Sequence, residues 1–316
     1  MIGRCGRAVI ARRAGTLTVA VVMAIYALDV RAEAVLTLKN LRADLEVIPE
    51  DRVDFSVAVD ENGTDDPAPV VTRHNGKLTI EGSIPTEVKA FRVSRNLDPR
   101  LDSQAFKDRW RQPLSHPEHL AHIVVHAPSR LTIRSTADIF GHVGPSHQLQ
   151  IDDNGAGRWT VDDVDGTVEI NGNGRSHFVL GNALLASIGL MGTGSLSILD
   201  VRRLLVGVYG SGDITVRSVT TDAEITVGGI GDLMVQSISG KLRVDIEDAG
   251  HVVAQSGELA LLKVRTLDGL GSVDFGGTAK EADISIGTRA DVHVHRVTGT
   301  LKQHLRQNAT LRIDER

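Results

Sequence analysis

The chain contains Gly210-Ser211-Gly212-Asp213-Ile214-Thr215-Val216 and, 19 residues later, a near copy, Gly229-Ile230-Gly231-Asp232-Leu233-Met234-Val235. Each copy is a pair of glycines followed by residues that alternate between polar and apolar. This order is typical of a tight turn that leads into a β-strand with one apolar face. The two copies therefore indicate a repeated turn and strand.

Six such units occur when the first glycine of each Gly-x-Gly is taken as the start. They begin at Gly155, Gly172, Gly192, Gly210, Gly229 and Gly269, at intervals of 17, 20, 18, 19 and 40 residues. The last interval is two periods, and a degenerate unit at Asp248-Ala249-Gly250 fills the gap. A period of 17–20 residues predicts a solenoid rather than a propeller or a helical repeat.

Apolar residues also recur at fixed offsets inside the units, at +4, +6, +9, +13 and +15 from the first glycine. From Gly155 these are Trp159, Val161, Val164, Val168 and Ile170, and from Gly229 they are Leu233, Val235, Ile238, Leu242 and Val244. The unit at Gly172 fits worst, with Ser176 at an apolar position. Two inward-facing strands and a corner residue per coil account for these offsets, and intervening residues such as Asp213, Thr215 and Arg217 are predicted to face solvent.

Stacked coils of this kind predict an all-β, right-handed parallel β-helix of about 19-residue coils. About eight coils from residue 121 onward would give a prism roughly 40 Å long. Glycine suits the turns because the chain is expected to reverse there with positive φ, and because closely stacked coils leave no room for a Cβ. The predicted structural turn residues are Gly155, Gly172, Gly192, Gly210, Gly212, Gly229, Gly231 and Gly269.

The sequence before the repeat divides into two further parts. Residues 1–32 have a basic start, an apolar run from Ala14 to Leu28 and a small-residue cleavage site, which predicts a secretory signal peptide. Residues 33–120 predict a small N-terminal β cap with a basic insertion, and residues 121–316 the solenoid. Cleavage after Ala32 would leave 30 Lys and Arg against 39 Asp and Glu, a net charge of −9, which argues against nucleic acid as a partner. The single cysteine, Cys5, lies in the basic start, so the mature chain would have no disulfide. After signal cleavage it is also predicted to have no transmembrane domain.

The insertion is the one basic part of this acidic sequence. Between residues 89 and 111 it carries seven Lys and Arg against three Asp, a net charge of +4. Arginines hold carboxylates or phosphates in a bidentate manner, and tryptophan adds a flat face. The predicted ligand-binding residues are Arg95, Arg100, Lys107, Arg109, Trp110 and Arg111, with an anionic glycan as the candidate ligand; a solvated loop is the alternative.

Other polar groups admit a metal site, a calcium roll or catalysis as alternatives to a purely structural role. Two histidine groups are candidates for metal sites: His116, His119, His122 and His126, and the pair His293 and His295. His122 and His126 would lie about 13 Å apart on one strand and cannot share an ion, and the pair alone is an incomplete site, so the sequence predicts no metal site. Asp213 and Asp232 follow the second glycine of their units, in a pattern similar to calcium-binding nonapeptide repeats. Five aspartates could supply a glycosidase acid and base, namely Asp152, Asp153, Asp162, Asp163 and Asp165. The low aromatic content argues against a sugar-cleaving cleft, and no nucleophile elbow or phosphate loop is present.

The two glycine units and the segment Gly76-Lys77-Leu78-Thr79-Ile80-Glu81-Gly82 resemble the bacterial head-GIN-domain family, described as auto-transporter adhesins. The resemblance covers most of residues 35–300, and the basic insertion departs from it. It implies an exported β-solenoid with no known catalytic residues. The sequence thus predicts a non-enzymatic, adhesin-like binding or structural protein of the periplasm or cell surface, without a cofactor and with an unknown envelope or extracellular ligand. A polysaccharide-active enzyme or a calcium-stabilised β-roll is the alternative.

Overall fold

A computed structural model describes residues 34–61, 66–83, 120–266, 269–287 and 289–316. These residues form a parallel β-solenoid of about ten turns with roughly 19-residue coils, and the predicted fold class is confirmed. The strands of the described residues are β1 (Ala34–Glu50), β2 (Ser56–Asp60), β3 (Val70–His74), β4 (Lys77–Glu81), β5 (Ala121–Pro128), β6 (Arg130–Val143), β7 (Ser146–Asp153), β8 (Ala156–Val161), β9 (Val164–Gly172), β10 (His177–Leu180), β11 (Ala183–Leu190), β12 (Ser195–Val208), β13 (Asp213–Val227), β14 (Asp232–Ile246), β15 (His251–Ala254), β16 (Gly257–Thr266), β17 (Ser272–Ile286), β18 (Asp291–Val297), β19 (Leu301–Leu305) and β20 (Thr310–Glu315).

The strands form two stacks, and each coil contributes one stretch of strand to each stack. The first stack runs from β4 through β1, β6, β7, β9, β11, β12, β13, β14, β16 and β17 to β19. The second runs from β5 through β1, β6, β8, β10, β12, β13, β14, β15, β17 and β18 to β20. The long strands bend at a corner of the solenoid and so belong to both stacks.

The N-terminal part is more closely joined to the solenoid than a separate cap would be. Strand β1 pairs in parallel with β4 and β5 on one side and with β6 on the other. The parallel stack therefore starts at Ala34, well before the predicted residue 121. Two antiparallel strands, β3 on β4 and β2 on β5, end the two stacks. An added antiparallel strand occupies the hydrogen-bonding edge that a parallel stack leaves open.

One hydrophobic core fills the space between the two stacks. The apolar residues predicted from the units at Gly155 and Gly229 are all buried, as are Ile214, Val216 and Val219 of the Gly210 unit. Alternation along each strand sends these side chains inward, and each meets its equivalent in the next coil. The core is therefore continuous along the solenoid, which is how repeat proteins gain stability from neighbouring repeats.

The second unit starts at Gly174, and the sequence-based start at Gly172 is wrong by two residues. Phe178 pairs with Trp159 of the preceding coil and with Leu196 of the following one. With Gly174 as the start, Phe178 takes the +4 position and the intervals to the neighbouring units become 19 and 18 residues. Gly172 is instead the last residue of β9, beneath the Leu190 side chain.

The turn glycines are required by close stacking and not by their backbone conformation. None of the eight predicted turn glycines has a φ in the left-handed region; among the residues that the structure describes, the glycines that do are Gly76, Gly157, Gly240 and Gly257. A Cβ on Gly210 would overlap the carbonyl oxygen of Gly192, and one on Gly229 would overlap that of Gly210. The expected positive φ is thus wrong, whereas the expected lack of room for a Cβ is confirmed.

Two polar residues are buried: Thr215, which was predicted to face solvent, and Asp153, which was a candidate catalytic aspartate. Thr215 is only 4% exposed because it lies between Ser197 and Met234 of the adjacent coils, which are about 4.8 Å away on either side. Asp153 is 0% exposed and occupies an inward position of the core. It accepts a hydrogen bond from the buried hydroxyl of Ser176. Burial raises the pKa of the Asp153 carboxyl, and hydrogen bonds from Ser176, Ser135 and the Gly155 amide oppose that rise.

Replacing Asp153 by asparagine is expected to stabilise the protein at pH 7 by roughly 1 kcal/mol, the scale of an imperfectly satisfied buried polar group. Because the pKa of Asp153 is higher in the folded protein, its favourable contribution is present at low pH and is lost as pH rises through the folded pKa. The advantage of Asp153→Asn should therefore grow from acidic to neutral pH. Urea denaturation over that pH range measures it, with the exposed Asp248→Asn as control. Parallel pH profiles for Asp153→Asn and the unmodified protein would contradict the prediction.

Candidate functional site

The basic insertion lies outside the described residues. This holds for all six predicted ligand-binding residues, Arg95, Arg100, Lys107, Arg109, Trp110 and Arg111, and for His116 and His119. The anionic-ligand site therefore stays a prediction. The other candidate groups lie on the solenoid, and their positions follow.

The two histidines of β5, His122 and His126, each contact a different carboxylate. His122 Nδ1 is 3.0 Å from Asp44 Oδ2, and His126 Nδ1 is 2.8 Å from Glu50 Oε1. The hydrogen bond from His126 is the main reason that the pKa of Glu50 lies below its ordinary value. These pairs link β5 to β1 on the outer face, and His122 and His126 point at different partners, as expected from their spacing along the strand.

The two histidines of β18 converge on one carboxylate of β20. His293 Nε2 is 2.9 Å and His295 Nδ1 is 3.4 Å from Asp314 Oδ2. His293 Nδ1 also contacts Asp274 Oδ1 at 3.1 Å, and Arg312 Nε donates to Asp314 Oδ1 at 2.9 Å. The hydrogen bond from His293 is the largest cause of the lowered pKa of Asp314. This cluster ties the last strand of the second stack to the two strands before it.

The five aspartates proposed as glycosidase groups are dispersed over the coil. Asp153 points into the core, whereas its neighbour Asp152 lies on the outer face and accepts hydrogen bonds from Gln150 and Asn171. The other three lie around the opposite corner, each with a separate partner: Asp162 with His142, Asp163 with Asn182, and Asp165 with His147. A glycosidase needs an acid and a base on either side of one bond, and these groups are committed to different structural contacts.

The two aspartates of the calcium hypothesis are neighbours on the outer face of the second stack. Asp213 and Asp232 follow the second glycine of adjacent coils, and His251 pairs with Asp232 in the coil after that. Burial raises the pKa of Asp232, and the charge of Asp213 adds to the rise. Within the described ranges, no group of three or more His, Cys, Asp or Glu side chains is placed to hold a metal ion.

An open depression of about 610 Å³ lies at the corner between the stacks. Its polar lining includes Asp163, Asn182 and the pair formed by His147 Nδ1 and Asp165 Oδ1, which are 2.6 Å apart. The polar groups of the rim are therefore engaged with each other. The side chain of Leu184, 52% exposed, also lines it.

Charged residues on the first stack form bridges between coils. Asp245 is buried, and each of its carboxylate oxygens accepts a hydrogen bond of 2.8 Å, one from Arg243 Nε and one from Arg265 Nε. Its partners come from its own coil and the next one. Because both oxygens are satisfied, this network has a structural role in joining β14 to β16.

The opposite corner of the solenoid, where the turn glycines lie, carries an exposed apolar feature that the sequence analysis missed. Four large apolar side chains are exposed there: Met191 at 60%, Tyr209 at 44%, Ile230 at 37% and Leu270 at 62%. We call these four residues the apolar ridge. They occupy the positions just before and just after the first glycine of their units, where the repeat frame assigns no inward side chain. Apolar residues at offsets −1 and +1 could therefore have revealed this surface in the sequence, because an apolar turn residue that has no position in the core must face outward.

Comparison with known proteins assigns neither a family nor a ligand to this chain. No family model matches the chain, and no curated protein matches its sequence. One solved structure that matches is that of a protein from Parabacteroides distasonis ATCC 8503, described as a "Putative lipid binding protein", with 14% sequence identity and a TM-score of 0.36. The match covers 90% of this chain and 94% of that chain. A similarity this low says nothing about the ligand of this chain. Among the described residues, no helix is long and apolar enough to cross a membrane.

Proposed function

We propose that this protein is a non-enzymatic, adhesin-like binding or structural protein of the bacterial envelope, exported by the N-terminal signal and active in the periplasm or at the cell surface. The observation that carries the proposal is the apolar ridge. Soluble proteins expose single apolar side chains freely, but a row of them at one corner is typical of a contact surface. Its members come from four coils of one continuous stack, and the coil of Asp248-Ala249-Gly250 lies between those of Ile230 and Leu270. Their spacing is therefore fixed before any partner binds.

The sequence supports the location and the class in this proposal. The pattern of residues 1–32 is that of a signal peptide, and the units at Gly210 and Gly229 resemble the head-GIN-domain family. A stack of short coils also offers long, regular surfaces, which is how solenoid proteins commonly bind their partners. The function proposed is therefore contact with an envelope or extracellular partner along the glycine corner.

Binding of the purified protein to isolated envelope fractions tests the proposal. The four-fold variant Met191→Ser, Tyr209→Ser, Ile230→Ser and Leu270→Ser should remain folded, with the circular dichroism spectrum of the unmodified protein, and lose at least about tenfold in affinity, because none of the four side chains belongs to the buried core. The control is Val53→Ser with Val70→Ser, which removes two exposed valines at the N-terminal end. Equal binding by the four-fold variant, or recovery of the tagged full chain in the cytosol, would contradict the proposal. Release of sugar from the envelope fraction would favour the enzyme alternative.

A further inference from the structure

Tyr209 has a setting on the apolar ridge that the other three residues lack. Its ring lies over two glycines: a Cβ on Gly207 would be 2.8 Å from Tyr209 Cε2, and one on Gly228 would be 2.7 Å from Tyr209 Cδ1. Gly207 lies near the end of β12, two residues before Tyr209, which directly follows that strand, and Gly228 is in the next coil. The ring therefore occupies space that any other residue at these two positions would fill. It lies against the backbone of two coils and leaves 44% of the residue exposed.

The residues beside this ring come from the same row of the corner. Backbone hydrogen bonds from Tyr209 N to Leu190 O, from Gly228 N to Val208 O and from Glu247 N to Val227 O align the coils, each at 2.8 Å. Met191 consequently lies one coil before Tyr209, and Glu247 lies two coils after it. A carboxylate oxygen of Glu247 is 3.5 Å from the Cβ position of Gly228, the same position that Tyr209 Cδ1 approaches to 2.7 Å.

We propose that Tyr209 is a stacking platform for a pyranose ring of a neutral or amine-bearing glycan, with Glu247 accepting hydrogen bonds from the sugar. The inference rests on the proposed function and names the ligand class of the same surface. Its basis is the juxtaposition of a flat aromatic face, an apolar neighbour and a carboxylate along one row of the corner.

The chemistry of this row fits a sugar because a pyranose ring is two-sided. Its axial C–H groups form an apolar face that packs on an aromatic ring, and its hydroxyl groups need hydrogen-bond acceptors at the edge. Met191 extends the apolar contact on one side, and Glu247 supplies the acceptor on the other. The glycines hold the ring flat, so little side-chain freedom is lost on binding.

Charge at the platform selects among glycans. Glu247 and the neighbouring Asp248 are both exposed, so the edge of the platform is negative. Like charges at close range oppose binding, which disfavours uronic acid polymers here. The anionic glycan predicted for the basic insertion would thus need a different surface. Neutral sugars, and amino sugars with a protonated amine, suit Glu247.

Calorimetric titration of the full-length protein with three tetrasaccharides tests this inference: N-acetylglucosamine, glucosamine and galacturonic acid tetramers. We expect the first two to bind, and Tyr209→Ala to weaken that binding at least about tenfold while Tyr209→Phe stays within about twofold. Gly228→Ala should weaken it as well, because the new methyl group displaces the ring. Glu247→Gln should weaken the glucosamine tetramer more than the N-acetylglucosamine tetramer. Leu184→Ala is the matched control and should bind as the unmodified protein does, because Leu184 is 52% exposed but lies at the depression on the opposite corner.

Several results would overturn the inference. If the galacturonic acid tetramer binds more tightly than the other two, or if Tyr209→Ala leaves glycan binding unchanged, Tyr209 is not the sugar platform. The protein would still be a binding protein in either case. If none of the tetramers binds but phosphatidylethanolamine vesicles bind in a way that depends on the apolar ridge, the ligand is a lipid surface and not a glycan. In each of these cases the envelope-binding experiment above still decides the proposed function separately, because it uses whole fractions and the four-fold variant.

Discussion

Gly210→Ala is expected to destabilise the protein by about 3 kcal/mol or more, at the upper end of overpacking effects. A glycine whose φ is not in the left-handed region, as at Gly210, usually gains stability when it becomes alanine, so the predicted sign is the reverse of the general trend. The reason is that the new Cβ would overlap the carbonyl oxygen of Gly192 and lie 2.6 Å from that of Met191. Both atoms belong to the backbone of the preceding coil and cannot rotate away.

Urea denaturation followed by circular dichroism measures this effect, and Gly189→Ala is the matched control. At Gly189 the nearest atom to an added Cβ is the side-chain Asn171 Oδ1, at 3.1 Å, which can move by a rotation. We therefore expect Gly189→Ala to change the free energy of unfolding by less than about 1 kcal/mol. Similar costs at the two positions would show that stacking of the coils is not what requires glycine at position 210.

Trp159→Ala is expected to cost about 3–5 kcal/mol, the range for removing a large aromatic side chain from a core. Trp159 is 0% exposed, and its indole lies over Gly141 of the preceding coil, where Cζ3 is 2.6 Å from the position of an added Cβ. The two residues are register partners on β8 and β6. Glycine at position 141 thus makes room for tryptophan at position 159, and no neighbouring coil has this combination of a glycine and a tryptophan.

A double-mutant cycle tests whether this pairing is the cause. Gly141→Val alone should destabilise the protein, since its side chain would collide with the indole. In the Trp159→Ala background the same valine should fill part of the cavity and recover stability, giving an interaction energy of roughly 1–3 kcal/mol. Trp159→Phe is a milder control because the indole Nε1 has no hydrogen-bond partner among the described residues, so no polar contact is lost. Additive effects at positions 141 and 159 would contradict the prediction.

The core of the solenoid could be predicted from sequence because its signal is local and repeated. Alternation at +4 and +6 in the units at Gly155, Gly210 and Gly229 marks strand faces directly, and the 19-residue period marks the coil. The surface proposed for glycan binding could not be predicted in this way. Tyr209 and Glu247 are 38 residues apart and have no shared motif, and only the stacking of coils brings them to one row.

The sequence by itself determined that this protein is a parallel β-solenoid of about 19-residue coils with glycine at one corner. It could do so because burial of every second residue and the need for backbone space at the turn leave marks within each repeat. Only the tertiary structure decided that the second unit starts at Gly174, that Asp153 faces the core and that Tyr209 lies flat on glycines of two coils. A shift of two residues keeps every side chain on the same face of its strand, so the apolar pattern at Gly172 and Gly174 reads almost alike. The register between coils, which sets the neighbours of each residue, is fixed by side-chain packing across the stack.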